Sequence, residues 1–174
     1  MQRRLFLTGL SGAIASTILL VSGRNLFAHE INKNLKITPL DKPDSEWKKL
    51  LPNDAYKVLF EEDTEPPGSS PLNKIKEKGT FICAACYLPL FESETKYDSG
   101  TGWPSFFRPI ENHIDTKLDL KLVWPRTEYH CIRCGGHQGH VFDDGPEPTG
   151  KRYCNNGLAL NFIPDDQALP ELRG

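Results

Sequence analysis

Cys83-Ala84-Ala85-Cys86 and Cys131-Ile132-Arg133-Cys134 are two Cys-x-x-Cys segments that decide how this chain folds, and 44 residues separate them. Each segment can form a tight turn that presents two sulfur atoms, and four thiolates on two such turns complete a tetrahedral Zn²⁺ site. Four sulfur ligands leave no open position for water, so the ion would be structural. We therefore predict that Cys83, Cys86, Cys131 and Cys134 bind Zn²⁺ and that the metal joins two β-sheets.

The sequence also allows two other roles for these sulfur atoms, as disulfides or as part of a different metal site. Each Cys-x-x-Cys could close on itself as a disulfide, although so small a loop stabilises a fold little. Alternatively, a metal could bind Cys131, Cys134, His137 and His140, which lie within ten residues of one another. That set would leave the first Cys-x-x-Cys without a role, so the four-cysteine site is favoured.

Cys154 is the fifth cysteine, and no cysteine is left to pair with it once the other four bind metal. In a strand alternate side chains point the same way, so Arg152, Cys154 and Asn156 would share one face. The expected face continues along the chain with Leu158, Leu160 and Phe162. A guanidinium beside a thiol favours the thiolate, which is the reactive form. Cys154 is therefore either an inert buried thiol or a nucleophile.

Two further motifs carry side chains that suit a thiol-based enzyme. His137 and His140 follow the second Cys-x-x-Cys, and imidazole can donate a proton near pH 7. The loop 100–107, constrained by Gly and Pro, carries Trp103 and two phenylalanines whose rings could hold a sulfur-containing group. Each side chain alone has an ordinary structural explanation, and only the combination indicates a thiol-based enzyme.

The composition is that of a globular chain of 174 residues, a length that suits one domain. Residues 1–28 hold three of the 21 basic residues and none of the 23 acidic ones, so the remainder has a formal charge of −5. An acidic body argues against nucleic acid as a partner. We expect a monomer.

The first 28 residues have the pattern of an export signal. Arg3 and Arg4 precede an uncharged run from Leu5 to Val21, and this order resembles the twin-arginine signal of bacteria and plastids. We predict cleavage after Ala28, export to the periplasm or to a compartment like the thylakoid lumen, and a polar linker over residues 29–43. An uncleaved membrane anchor is the alternative, although the run is shorter than the ~20 residues of a spanning helix.

The chain after residue 43 is predicted to be mainly β with short N-terminal helices. Residues 44–51 and 53–60 have the apolar spacing of two short helices that Pro52 separates. Short β-rich runs bounded by Gly, Pro and Asp-Gly signals follow at 79–81, 88–91, 120–124, 127–131, 140–142 and 158–162. Repeated short strands with turns predict an antiparallel β-domain.

Three long motifs and the first helix resemble the signature blocks of the methionine-R-sulfoxide reductases, the MsrB family. The similar stretches are Ser45–Leu50, Ser99–Phe106, Gly136–Pro146 and Thr149–Asn156. They extend from about Asp44 to Pro164, so residues 44–174 are expected to form a reductase domain. The resemblance implies two antiparallel β-sheets with short N-terminal helices and, in many members, a zinc site made of four cysteines.

The resemblance also implies roles for individual side chains. Cys154 would be the nucleophile, His140 would protonate the sulfoxide oxygen, and Trp103 would receive the methyl group of the substrate. The other residues expected to shape the site or bind the substrate are His137, Arg152, Asn156, Phe106 and Phe142.

Two positions depart from the common family pattern. Thr101 stands where many members carry a resolving cysteine, and Gln138 stands where many carry leucine. Without a resolving cysteine, a Cys154 sulfenic acid must be reduced by a thioredoxin-like or glutaredoxin-like protein or by a small thiol. The predicted function is reduction of methionine-R-sulfoxide in oxidised proteins or peptides, with the free amino acid as a further substrate to test.

Two rival functions are open at this stage. A zinc-ribbon-like interaction module would use a surface patch and would be indifferent to Cys154. A thiol–disulfide oxidoreductase would need an exposed and reactive Cys-x-x-Cys, which metal binding at both pairs would prevent.

Overall fold

The structure, a computed structural model, describes residues 36–120 and 125–174. Two helices open this part of the chain, α1 (Asp44–Leu50) and α2 (Asn53–Glu61). The strands that follow within it are β1 (Gly79–Cys83), β2 (Pro89–Glu92), β3 (Lys96–Tyr97), β4 (Ser105–Phe106), β5 (Ile114–Asp119), β6 (Arg126–Cys131), β7 (His137–Phe142), β8 (Arg152–Asn155) and β9 (Leu160–Pro164). Single 3-10 turns lie at Pro71–Lys74, Ser93–Thr95 and Gly157–Ala159.

The strands form two antiparallel sheets. The smaller sheet has the order β2-β1-β9, and the larger has the order β3-β4-β8-β7-β6-β5. β1 is buried along its whole length because it lies between two strands and its faces are covered by other elements. The fold class expected from the sequence, two antiparallel sheets with short N-terminal helices, is confirmed.

Aromatic side chains join the two sheets face to face. Phe81 of β1 contacts Phe106 of β4 with ring centroids 5.0 Å apart, and Phe106 stacks on Phe91 of β2 at 4.2 Å. Tyr129 of β6 meets Phe91 edge-on at 6.1 Å. Such pairs add roughly 0.5–1.5 kcal/mol each beyond the burial of their surface. The core therefore lies between the sheets.

The helices pack against one another and against the second Cys-x-x-Cys turn. Trp47 of α1 is 1% exposed and stacks on Phe60 of α2 at 5.5 Å. Pro52 separates the helices because it has no N–H to continue the first one. Leu59 of α2 comes so close to Gly136 that a Cβ there would lie 2.9 Å from the leucine Cδ2. This close contact fixes α2 beside the turn.

The larger sheet has one polar face and one aromatic face. Residues paired directly across antiparallel strands point to the same face. One continuous line of such pairs crosses all six strands and consists of Tyr97, Ser105, Cys154, His140, Glu128 and Lys117. We refer to these six residues as the polar row. The adjacent pair Phe106 and Tyr153 points to the opposite face, toward the core.

Some predicted strand boundaries are wrong, and one of these errors affects the site. The chain enters the 3-10 turn at Gly157–Ala159, so the strand predicted at 158–162 begins at Leu160. The single face predicted from Arg152 to Phe162 is therefore interrupted after β8. The strand predicted at 120–124 lies mostly outside the described residues, and β5 ends before it at Asp119.

The predicted export signal, residues 1–28, lies outside the described residues. The described part of the predicted linker, residues 36–43, has no regular secondary structure, and its Leu40 N–H donates to the Arg133 carbonyl at 2.6 Å. Across residues 36–120 and 125–174, no helix combines the length and the apolar character needed to cross a membrane.

Candidate active site and metal centre

Cys83, Cys86, Cys131 and Cys134 meet at the ends of β1 and β6, where both Cys-x-x-Cys turns begin. Their sulfur atoms all lie within 4.8 Å of one another, and the Cys83–Cys134 and Cys86–Cys131 sulfurs are 3.6 and 3.5 Å apart. Four sulfurs at ~2.3 Å from a tetrahedral zinc ion would be about 3.8 Å apart. Burial raises the pKa of the Cys83 thiol well above its ordinary value, so a bound cation would stabilise its thiolate. The donor set and its spacing fit Zn²⁺.

The two alternative assignments of these cysteines do not fit the geometry. All four are free and buried, so neither Cys-x-x-Cys closes as a disulfide. His137 and His140 instead form 2.8 Å hydrogen bonds with the carboxylates of Glu128 and Asp119. Among the described residues, the candidate metal cluster holds no histidine.

We refer to Cys83, Cys86, Cys131 and Cys134 as the sulfur cluster. Gln138 connects this cluster to β8, the strand that carries Cys154. Its side chain is completely buried, its Nε2 donates to Cys83 Sγ at 3.6 Å, and its Oε1 accepts from Asn155 Nδ2 at 3.4 Å. A hydrogen bond to a ligand sulfur disperses thiolate charge, and such contacts commonly change metal affinity 10–100-fold. Gln138 therefore gives the four-cysteine cluster a polar contact that a leucine side chain would lack.

Gln138→Leu keeps a similar volume and removes the amide. We expect zinc release from the loaded protein to become about tenfold faster because Cys83 loses its N–H partner. Transfer of zinc to a coloured chelator measures the rate. Thr95→Val is the control, since it also removes one buried side-chain hydrogen bond, from Thr95 Oγ1 to the Glu92 carbonyl at 2.8 Å, away from the cluster. Equal release rates in the two variants would contradict the prediction.

A cavity of about 130 Å³ opens on the polar row beside Cys154. Cys154 on β8 is paired directly with His140 on β7, so the thiol and the imidazole lie side by side. The cavity is lined by Thr64, Trp103, Arg126, Gly139, His140, Phe142, Cys154, Asn155 and Asn156. The structure thus brings five of the residues predicted from sequence to one place.

Cys154 is partly buried, and its surroundings act on its pKa in opposite directions. Burial raises the pKa of the thiol, whereas the Arg152 guanidinium and the Thr101 hydroxyl lower it by favouring the thiolate. Arg152 is fixed by two hydrogen bonds to the Asp144 carboxylate, at 2.8 and 2.9 Å. Its guanidinium carbon also lies 4.2 Å from the centroid of the Phe142 ring. Arg152 therefore supplies positive charge and supports one wall of the cavity.

His140 is oriented by a buried carboxylate. Its Nε2 donates to Asp119 Oδ2 at 2.8 Å, and the same oxygen accepts from Arg126 Nη2 at 2.7 Å. Burial lowers the pKa of His140 below its ordinary value, and the hydrogen bond to Asp119 opposes this effect. The ring is therefore held in place, and Asp119 favours its protonated form.

His137 lies behind His140, and it does not line the cavity. Its ring centroid is 5.5 Å from that of His140. The side chain is buried, and its Nδ1 lies 2.8 Å from Glu128 Oε1, whose partner oxygen is 3.4 Å from Lys117 Nζ. His137 therefore supports the ring of His140 and has no direct access to a molecule bound in the cavity.

Trp103 and Asn156 both line the cavity, and each is held through Glu65. The indole Nε1–H of Trp103 donates to the Glu65 carbonyl at 3.0 Å. The amide of Asn156 accepts from the Glu65 N–H at 3.2 Å and donates to the Gln138 carbonyl at 3.1 Å. The ring of Trp103 remains partly exposed, so it can contact an apolar group in the cavity.

Phe106 is not part of the cavity, and its predicted role in substrate binding is wrong. Its side chain is 0% exposed and stacks on Phe91 in the core. The reason is strand alternation in β4, where Ser105 faces Cys154 and its neighbour must face the other way. Phe142, the other predicted phenylalanine, does line the cavity.

Sequence reasoning missed the residues that hold the predicted ones in place. Asp119, Glu128 and Glu65 are three of 23 acidic residues, and no local pattern marks them. Only the pairing of β5, β6 and β7 brings the first two to the histidines. Arg126 likewise reaches the cavity through its pairing with Asp119.

Comparison with known proteins agrees with this geometry. Residues 51–164 match the family model described as the SelR domain. A protein of Leptospira interrogans named peptide methionine sulfoxide reductase MsrB is 48% identical over 71% of this chain and 95% of its own length. Proteins with the same name from Methanosarcina barkeri and Pseudomonas putida are 49% and 47% identical over 74% of this chain, covering 91% and 98% of their own lengths. The family model spans more than half of this chain, and the alignments cover nearly the full length of these relatives. This chain therefore belongs to the SelR domain family, which is the family of the MsrB reductases.

Proposed function

We propose that this chain reduces methionine-R-sulfoxide in oxidised proteins or peptides, with Cys154 as the nucleophile and an external thiol as the reductant. The observation that carries the proposal is the direct pairing of Cys154 with His140 beside the ring of Trp103. A nucleophile next to an imidazole that a third group orients is the usual arrangement of nucleophilic catalysis. The relatives named peptide methionine sulfoxide reductase support the same activity.

The proposed reaction takes place on the sulfur of Cys154 and leaves it oxidised. The Cys154 thiolate attacks the sulfoxide sulfur while His140 delivers a proton to the sulfoxide oxygen. The attack forms a bond between the two sulfur atoms. That bond and the sulfur–oxygen bond of the substrate then break as the hydroxyl moves to the Cys154 sulfur, which leaves a Cys154 sulfenic acid and methionine. The substrate sulfur gains the electron pair that Cys154 loses. Trp103 would contact the methyl group, and Asn156 would hold the polar part of the substrate.

Regeneration of Cys154 needs two thiols from outside the chain. Thr101 lies beside Cys154 at the position of the usual resolving cysteine, and the other four cysteines are buried in the sulfur cluster. One external thiol condenses with the sulfenic acid, which forms a mixed disulfide and releases water. A second thiol displaces the Cys154 thiolate. A thioredoxin-like or glutaredoxin-like protein, or a small thiol, would supply both.

The sulfur cluster supports a structural zinc ion in this proposal. Bound zinc would supply the positive charge that stabilises four thiolates and would link β1 to β6. The burial of these cysteines disfavours the rival thiol–disulfide oxidoreductase, which needs an exposed pair. The cavity that unites Cys154, His140 and Trp103 disfavours the rival interaction module, which has no use for it.

An assay on the two sulfoxide epimers of a methionine peptide tests the proposal, with zinc measured in parallel. We expect reduction of the R epimer alone with dithiothreitol as the thiol. Without reductant, one turnover should yield one methionine and a sulfenic acid at Cys154. Reduction of neither epimer, or an internal disulfide found by mass spectrometry, would contradict the proposed scheme.

We also propose that residues 1–28 direct export to the periplasm or a similar compartment. The adjacent Arg3 and Arg4, followed by an uncharged run, support export. Intact-mass measurement of protein from the periplasm of expressing cells is the test. A product that begins at His29 is expected, whereas a full-length product in the membrane fraction would favour the anchor.

Asp119→Asn is expected to lower kcat/KM by about tenfold. The reaction needs Cys154 ionised and His140 protonated, yet burial raises the pKa of the thiol and lowers the pKa of the imidazole. Between the two pKa values the reactive fraction is constant, and it falls tenfold for each unit by which the pKa of His140 drops. The hydrogen bond to Asp119 raises the pKa of His140. Loss of this carboxylate should therefore lower the kcat/KM measured between the two pKa values and move the acid limb of the pH profile to lower pH.

The pH profile of kcat/KM for this variant has a matched control. Asp143→Asn removes an exposed carboxylate that pairs with Lys151 outside the cavity, and it should leave the profile unchanged. A plateau of wild-type height in Asp119→Asn would show that His140 does not depend on this carboxylate.

A further inference from the structure

Glu65 is a buried carboxylate that the proposed reaction does not use. It lies in the loop after α2 and is only 4% exposed. Its Oε1 accepts from the Gly157 N–H at 2.6 Å, and its Oε2 accepts from the Leu158 N–H at 3.1 Å. Both oxygens are therefore occupied by the backbone of the 3-10 turn that directly follows Asn156. Hydrogen bonds to an ionised carboxylate are roughly twice as strong as neutral ones.

The main chain of Glu65 holds two residues of the catalytic cavity. Its N–H donates to Asn156 Oδ1 at 3.2 Å, and its carbonyl accepts from Trp103 Nε1 at 3.0 Å. Trp103 and Asn156 come from distant parts of the chain, and both line the cavity beside Cys154. One residue thus makes four hydrogen bonds that connect both of these side chains and the turn after β8.

We propose that Glu65 is a positioning residue that fixes Trp103 and Asn156 relative to each other in the cavity lining and thereby determines the affinity for the sulfoxide substrate. The inference rests on the proposed function, because the cavity is taken to be the sulfoxide site. The carboxylate anchors residue 65 to the turn, and the anchored main chain then places the indole and the amide. Glu65 lies outside the cavity lining and acts only through these contacts.

Glu65→Gln is the sharpest test because it keeps the shape of the side chain. The amide has one acceptor oxygen, so it can satisfy only one of the N–H groups of Gly157 and Leu158 and turns its NH₂ toward the other. We expect KM for a peptide containing methionine-R-sulfoxide to rise about tenfold while kcat changes less than about threefold, the pattern of lost ground-state binding. The indole N–H resonance of Trp103 should shift, and Trp103→Phe identifies that resonance.

A merely structural role for Glu65 predicts a different outcome. Thr95→Val removes a buried hydrogen bond away from the cavity, so it should lower the unfolding temperature without changing KM or the Trp103 resonance. If Glu65→Gln behaves like this control, or if it lowers kcat with KM unchanged, the proposal is wrong. Glu65→Asp serves as a second variant, because it keeps the charge but shortens the reach, and it should give a KM above that of the wild type.

Failure of the inference and failure of the proposed function give different results. If the wild-type protein reduces neither sulfoxide epimer, the function itself is wrong and the KM comparison has no meaning. If the wild type reduces the R epimer and Glu65→Gln has an unaltered KM and an unshifted Trp103 resonance, only the role of Glu65 is wrong.

Discussion

Cys154→Ser is expected to abolish sulfoxide reduction while the protein stays folded and keeps its zinc. A serine hydroxyl is a far weaker nucleophile at neutral pH than a cysteine, and loss of a nucleophile commonly costs about 10³-fold or more in kcat. The side chain is partly exposed and lies at the edge of the core, so the exchange of sulfur for oxygen should cost little stability. Methionine formation from the R epimer, followed by chromatography, measures the effect.

Alkylation with iodoacetamide gives an independent readout of the same residue. With zinc bound, the wild-type protein should present one reactive thiol, and Cys154→Ser should present none, because the other four cysteines are buried and would bind the metal. Residual activity above about one part in a thousand in the serine variant would show that another group attacks the sulfoxide.

Cys83→Ser, unlike Cys154→Ser, is expected to lose both the zinc ion and the folded state. The apparent binding free energy of structural zinc in small domains is about 10–16 kcal/mol at neutral pH, whereas whole domains are stable by roughly 5–15 kcal/mol. Cys83 is fully buried at the end of β1, where the smaller sheet meets the second Cys-x-x-Cys turn. Removal of one ligand therefore weakens the link between the sheets by an amount similar to the total stability.

Zinc content by mass spectrometry and thermal unfolding by circular dichroism measure this effect. Cys154→Ser is the matched control, since the same chemical change outside the cluster should leave both quantities unaltered. Treatment of the wild-type protein with a strong chelator should reproduce the unfolding seen in Cys83→Ser. A folded and zinc-loaded Cys83→Ser protein would show that the metal assignment is wrong.

The sequence was informative where local spacing determines geometry. The two Cys-x-x-Cys turns identified the sulfur cluster because each turn constrains its own two sulfurs and only their meeting had to be inferred. The motif around Trp103 and the one around Cys154 identified most of the cavity, and the resemblance to the reductase family supplied their roles. These residues belong to short-range motifs, which can be recognised without knowledge of the fold.

The sequence was uninformative where side chains meet through strand pairing. Asp119 reaches His140 only because β5 pairs with β6 and β6 with β7, and such contacts leave no trace in local spacing. Phe106 was predicted to bind the substrate, but β4 has only two residues, too few for an alternating pattern to show that this side chain faces the core. Asn156 was expected to continue a strand, but its amide bonds to Glu65 and to Gln138 where the chain begins a 3-10 turn.

The polar row also has a consequence for how misfolded copies of this protein would behave. A slip of one residue between β7 and β8 would turn every side chain of β8 to the other face. Tyr153 would then face the cavity, and the Cys154 thiol would face the aromatic core. A slip would also bring Gln138 or His140 to the position of Gly139, where a Cβ would lie 1.9 Å from the Cys154 carbonyl oxygen, so this close contact disfavours it. Only copies with the native pairing of β7 and β8 would therefore present the Cys154 sulfur to the cavity.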